Sequence, residues 1–452
     1  MNKNHLLTRD INSLIKQIAI PSSIGMFFNT MYNVVDTFYV GLVSTVAITA
    51  LSYSFIVYFM LLSISFGLSS AITAHVGNSL GKHKINLAKI FISNGITFVT
   101  FVATTLCILG FIFLEDIFSL MGAKEEALLL SLDYTYIILI GVIPMLLGLA
   151  ANAVLIARGD TKSYRNTLIF GFFMNLLLDP LFMYGYGFVP ALGFKGVAYA
   201  TVFIQFITFG YIMIKLYKTT LFNFENPKLF FPDCRVYKKL LIQAIPQSLN
   251  MFVMSLGTMV VMYFVSQYGY KSVAAFGIGY RVEQIILLPM LGLNIAVSSI
   301  VANNYGAKNF DRIHEVIKKS LLYGYIMSGI GVVFLALAGE YIIMVFDRDS
   351  EVISVAYIYV VIESFVFFAY ITIFISNSTL QGIKQPFVIP YISFYRQIFM
   401  PVIILYFVVD ILKLDIVYVW IVLGVIIYSA AFFIYYYTKK KLLELETRII
   451  NK

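Results

Sequence analysis

Four carboxylates lie inside runs of apolar residues: Asp36, Asp179, Glu283 and Glu363. An ionisable side chain in a membrane-spanning helix costs roughly 2.5–3.5 kcal/mol on insertion scales and usually marks a functional path. Asn29 and Asn33 precede Asp36 by seven and three residues, so the three form one polar stripe on an otherwise apolar helix. That stripe either belongs to an ion path or hydrogen-bonds a neighbouring helix. Asn175 and Asp179 stand four apart, again on one face, and Pro180 follows at once. Asp179 either joins a site with Asp36 at the same depth or ends its helix at interfacial water. Two carboxylates in one apolar environment cannot both stay charged cheaply, and a proton or a bound cation would neutralise them.

The elements that must position these acids are membrane spans. Of the 452 residues 60% are hydrophobic and 12% charged, the latter about half the roughly 25% usual in a soluble domain. Mean hydropathy is +0.88, which excludes a soluble protein. Runs long enough to cross a bilayer, about 20 residues each, are expected near 14–40, 46–76, 86–114, 127–157, 164–187, 193–217, 238–267, 273–302, 314–345, 353–381, 388–409 and 416–437. Short alternating segments of a barrel are absent. With the amino terminus inside, 26 of the 32 Lys and Arg fall on the cytoplasmic side, Lys384 and Arg396 among them, while Arg281 sits in a helix. The positive-inside rule therefore places both termini in the cytoplasm, and it accounts for the net charge of +9 without nucleic acid.

Internal repetition organises the spans. Ala19-Ile20-Pro21 recurs 225 residues later as Ala244-Ile245-Pro246, and at the same offset Gly67-Leu68 meets Gly292-Leu293, Asn78 meets Asn303 and Gly81 meets Gly306. Six spans per half give two parallel repeats, a build that places transport sites at the repeat interface. Asp36 meets Val261, so the scaffold is doubled while this acid is not. The expected division is an N-terminal lobe at 1–218, a cytoplasmic linker at 219–236 with Pro227 and Pro232, and a C-terminal lobe at 237–452 with a short cytoplasmic tail. Pro21, inside the first helix, is the expected hinge because it frees a backbone carbonyl. Gly81 and Gly306 are expected to supply positive φ at helix ends. Arg281 and Glu283 read as a polar anchor between helices. No P-loop order appears, so nothing hydrolyses ATP. Cys107 and Cys234 lie in different settings and read as plain thiols. The scattered His5, His75, His83 and His314 make no metal or catalytic motif, so neither an enzyme nor a resident cofactor is expected.

The chain is similar to the multidrug and toxic compound extrusion (MATE) family, and within it to the DinF-like branch. The resemblance rests on Pro21 fifteen residues before Asp36, on ANAVLIARGDTK at 151–162, NLLLDPLF at 175–182 and ANNYGAKNFDR at 302–312, and on their order in a twelve-span chain. It implies an all-α polytopic fold of two six-helix lobes in a V around a cavity, driven by a proton or sodium gradient. It also implies a first-lobe cation site of Asp36, Asn175, Asp179 and Thr201, with Asn152 in the same cluster and Tyr134 adding a hydroxyl. Oxygen ligands of this kind suit Na⁺ and suit a hydrogen-bonded proton equally. Some relatives carry acids in the seventh and tenth helices; here the seventh has none and the tenth only Glu363, which weakens the case for a second-lobe site.

The function expected is antiport in a bacterial cytoplasmic membrane: export of amphipathic, cationic organic compounds in exchange for H⁺ or Na⁺. Phe27, Met31 and Met251, with Asn29, Asn33 and Tyr134, are expected to line the substrate cavity, since Met and aromatic surfaces adapt to varied shapes; lipid contact or helix packing is the alternative for each. A flippase of lipid-linked substrates is the second reading, and it would need cations in the cavity where only Arg281 is a candidate. A monomer is expected.

Overall fold

The computed structural model describes residues 4–187, 189–222 and 226–450; three residues of the expected linker, 223–225, together with Lys3 and Lys452 of the charge count, lie outside the described residues. After a short turn at His5–Thr8, twelve long helices follow: α1 Ile11–Gly41, α2 Thr45–Gly81, α3 Ile85–Leu120, α4 Glu125–Ala157, α5 Lys162–Tyr184, α6 Phe194–Tyr217, α7 Cys234–Ser266, α8 Tyr270–Gly306, α9 Phe310–Met344, α10 Ser350–Gly382, α11 Val388–Ile411 and α12 Ile416–Ile450. All but α1 contain an apolar stretch sufficient for a membrane span; α1 has the length, 31 residues, and carries Asn29, Asn33 and Asp36. Each expected run becomes one helix, and the chain is a multi-pass integral membrane protein. Several helices exceed 30 residues, about 45 Å at 1.5 Å per residue, so they tilt or project beyond the hydrocarbon. Tyr186 and Val189 form an isolated bridge and no strand occurs among the described residues.

Packing divides the chain into two compact units, Ile24–Ser248 and Met1–Ser23 with Leu249–Lys452. Units and repeats are therefore not coextensive. The first half of α1 buries Leu14, Ile15 and Ile18 in the core of the second unit, and its short leading turn is tied there by Asn4 Nδ2 donating to Asn303 Oδ1 at 2.8 Å. The first half of α7 buries Val236, Leu240 and Ala244 in the core of the first unit, with the Tyr237 and Thr97 hydroxyls 3.0 Å apart. The two changes of unit fall just after Ser23 and Ser248, residues at the same place in the two repeats. Each follows a glycine contact too close for a side chain. A Cβ on Gly292 would stand 2.5 Å from the Ala19 carbonyl, and one on Gly67 would stand 2.6 Å from the Ala244 carbonyl.

In the first unit α4 is central, with 72% of its apolar stretch buried against 22% for α3, and it packs on α2, α3 and α6. Its repeat counterpart α10 packs on α8, α9 and α12 in the second unit. The linker is held on α3, where Asn94 donates to Leu229 O at 3.1 Å and accepts from Asp233 N–H at 2.9 Å.

Gly81 and Gly306 do not supply the positive φ. Both stay helical, and the left-handed residues are His83 and Lys308, φ 57° and 60°. The six-to-one bonds from Lys84 N to Ser79 O and from Asn309 N to Asn304 O close these helix ends. A non-glycine residue there costs about 1–2 kcal/mol. His83→Gly and Lys308→Gly, both at exposed positions, are expected to raise stability by about 1 kcal/mol each; a lower thermal midpoint in detergent would count against this reading of the caps.

Candidate coupling site

Within the first unit the carboxylates of α1 and α5 meet across one amide. Asn175 Nδ2 donates to Asp36 Oδ1 at 2.8 Å and to Asp179 Oδ1 at 3.0 Å. Asp36 is 4% exposed, and Asn175 and Asp179 are fully buried. Asp179 does not end its helix: α5 runs through Pro180 to Tyr184. The carbonyl that Pro180 cannot bond is that of Leu176, and the Tyr39 hydroxyl of α1 donates to it at 3.3 Å, which is how a membrane helix tolerates an internal proline.

The face of α1 turned to this site is Tyr32, Asp36 and Tyr39 rather than Asn29, Asn33 and Asp36. Tyr32 donates to Thr201 Oγ1 at 3.1 Å, bringing α6 to the cluster. Asn33 turns its amide back to the Asn29 carbonyl at 3.1 Å, and Asn29 is exposed. Asn152 of α4 is buried but does not join the cluster: it stands eighteen residues beyond Tyr134 on the same helix, about 27 Å at the helical rise, beside the Thr73 bond to the Ala153 carbonyl. Asn175 Oδ1 and Asp179 Oδ2 have no partner. Tyr134 is buried, stacks on Phe194 with ring centroids 5.2 Å apart, and interacts electrostatically with both carboxylates. Tyr58 of α2 feels the charge of Asp36 through space. Tyr32, Tyr39 and Tyr58 escaped sequence reasoning, although Tyr32 and Tyr39 lie four before and three after Asp36, the spacing of one helix face.

Two carboxylates are buried here, with Asn175 Oδ1 and Asp179 Oδ2 unpartnered and no cationic side chain among the described residues bonded to them. Such oxygens fit a hard cation by ligand type. They also fit a proton, which would turn one carboxylate into a donor.

Other expected residues fall elsewhere. Phe27 is 44% exposed and packs edge-on against Phe28; Met31 and Met251 are half-buried. Pro21 lies inside α1, where Ser22 and Ser23 donate back to the Ile18 and Ala19 carbonyls at 2.8 and 3.0 Å, a pattern that bends helices.

The second unit holds buried ionisable groups of its own, two of them the acids expected inside its spans. Glu283 on α8, Glu363 on α10 and Arg396 on α11 are 5%, 5% and 3% exposed. Tyr359 donates to Glu283 Oε2 at 2.7 Å, and Arg396 lies over the Tyr370 ring, 5.7 Å from its centroid. No ion pair within 4 Å joins Arg396 to either glutamate among the described residues, yet all three interact through space. Arg396 is thus not a cytoplasmic loop cation; it stands in a π-helical turn, Tyr395–Phe399, a feature common at functional positions. Arg281 and Glu283 are not a joint anchor. Two residues apart is about 200° around a helix, so Glu283 points inward and Arg281 is exposed.

The MatE family model matches residues 21–181 and again 246–407, together well over half of the chain. "Probable multidrug resistance protein YoeA" of Bacillus subtilis is 31% identical over 319 residues, covering 69% of this chain and 68% of that protein. The "FAD transporter" of Shewanella oneidensis is 26% identical over 367 residues, 80% of each chain. A MATE protein crystallised in complex with MaL6 superposes with a TM-score of 0.92 over 99% of this chain and 100% of that one, at 22% identity.

Proposed function

Because the chain belongs to the MATE family of multidrug efflux transporters, we propose that it is an antiporter whose export step is driven by H⁺ or Na⁺ binding at Asp36 and Asp179. The single amide of Asn175 bonded to both buried carboxylates carries this reading. When the site is empty of ions, two negative charges share one desolvated pocket. Taking up a cation or proton relieves that repulsion, and one charge crossing the full membrane potential releases roughly 2.3 kcal/mol per 100 mV.

The mechanical link is α1. Asp36 lies fifteen residues beyond Pro21 on the same helix, about 22 Å at the helical rise. Neutralising Asp36 weakens its hold on Asn175, and α1 changes course at Pro21, where the ladder lacks a bond from the proline nitrogen to the Gln17 carbonyl. Thr201 and Tyr134 tune this site, and Na⁺, if it is the coupling ion, is held by Asp36, Asn175, Asp179 and Thr201 oxygens. The substrates are amphipathic organic cations; FAD belongs in the test panel because one relative carries that name. The orientation keeps both termini in the cytoplasm.

The purified protein, reconstituted in liposomes, is expected to move a cationic dye against its gradient under an imposed proton or sodium gradient. Dye movement indifferent to both ions contradicts the proposal, and a response to one alone identifies the coupling ion.

A further inference from the structure

A groove of about 530 Å³ lies between α9, α10 and α12 of the second unit, away from both buried ionisable clusters. Its rim is basic and its floor is apolar. Lys318, Lys439 and His314 edge it, while Ile317, Leu321 and Leu442 form the base. A second hollow of about 960 Å³ adjoins it along α12, shares Tyr435 and Lys439 with it, and adds Lys440 and Arg448. The acids nearby are engaged: Glu444 pairs with Lys441 at 3.1 Å, and Glu446 faces His314 at 3.4 Å. Among the described residues, no carboxylate comes within 4 Å of Lys318, Lys439, Lys440 or Arg448.

This groove sits where water meets hydrocarbon. Tyr435, Tyr436 and Tyr437 run straight into Lys439, Lys440 and Lys441, the order of an aromatic belt followed by a basic edge. Away from the lysines the surface turns apolar: Leu322, Ile326 and Ile330 of α9 are 57%, 51% and 64% exposed and recur every four residues on one side of the helix. A soluble anion would use the cations and leave that apolar strip unused. A zwitterionic lipid would use the strip and leave the cations without a net charge to balance.

We propose that the groove between α9, α10 and α12 is a binding site for one anionic phospholipid, its phosphate held by Lys318 and Lys439 and its acyl chains laid along the outer face of α9. Basic pockets between membrane helices hold acidic headgroups by this combination of charge and apolar contact. The site is independent of ion coupling and would persist in a protein that exports nothing.

Native mass spectrometry of the detergent-purified full chain tests it with phosphatidylglycerol, phosphatidylcholine of the same acyl length, and glycerol phosphate. Phosphatidylglycerol is expected to bind at least about tenfold more tightly than phosphatidylcholine, and Lys318→Gln and Lys439→Gln to lose about fivefold each. Lys124→Gln, at an exposed position remote in sequence, is expected to change nothing. Equal binding of the two lipids, binding of glycerol phosphate as tight as that of the lipid, or full retention in the double lysine variant would each overturn the proposal.

Discussion

Asp36→Asn is expected to lower gradient-driven export by about 5- to 150-fold, the range set by typical coupling energies of about 1–3 kcal/mol. The substitution keeps the shape of the side chain and removes its ability to change charge. Asn175 can still bond to the new amide oxygen, so folding is preserved and a thermal midpoint near that of the unaltered protein is part of the expected result. Asp179→Asn should behave in the same direction, because Asp179 Oδ2 is buried without a partner. Export by Asp36→Asn at the original rate, measured as initial dye flux, would remove α1 from the coupling step.

The second large effect is on stability. Arg396 is the cationic member of a buried set with Glu283 and Glu363. Arg396→Leu leaves two acids without a countercharge, and removing one partner from a buried ionic set costs about 3–5 kcal/mol. Among the described residues Arg396 forms no ion pair within 4 Å, so the lower figure, about 3 kcal/mol, is expected. Adding Glu363→Gln should restore part of the loss, because the pair shares one electrostatic environment. If Arg396→Leu destabilises equally with and without Glu363→Gln, the three residues do not act together.

Much of this architecture was legible from sequence because membrane physics is severe. Twelve apolar runs had to be helices, and the recurrence of Ala-Ile-Pro at Pro21 and Pro246 gave the repeat. The acids of the first site could be named because a carboxylate among apolar residues is conspicuous. Their partners were harder to see. Asn29 and Asn33 satisfy the same helical spacing to Asp36 as Tyr32 and Tyr39 do, and polarity alone favoured the asparagines. The structure turns the tyrosines inward, where their rings pack and their hydroxyls reach Thr201 and the Leu176 carbonyl.

Arg396 was hidden for a different reason. Counting basic residues by side treats each as a surface charge, and an arginine two turns into α11 escapes that count only through its partners on α8 and α10. The exchange of helix halves between units was also illegible, since it depends on which core Leu14 and Leu240 enter. The glycines show the limit on the local scale: Gly81 and Gly306 promised the helix ends, but the left-handed turn came two residues later, at His83 and Lys308.

Asp36 and Asp179 are proposed to link ion movement to substrate movement, so the decisive measurement separates the two. In proteoliposomes, the Asp36→Asn/Asp179→Asn protein is compared with the unaltered chain for uphill dye transport under an ion gradient and for dye-for-dye exchange without one. The expected result is that uphill transport disappears while exchange continues. Uphill transport at the unaltered rate in the double variant would contradict coupling at this site.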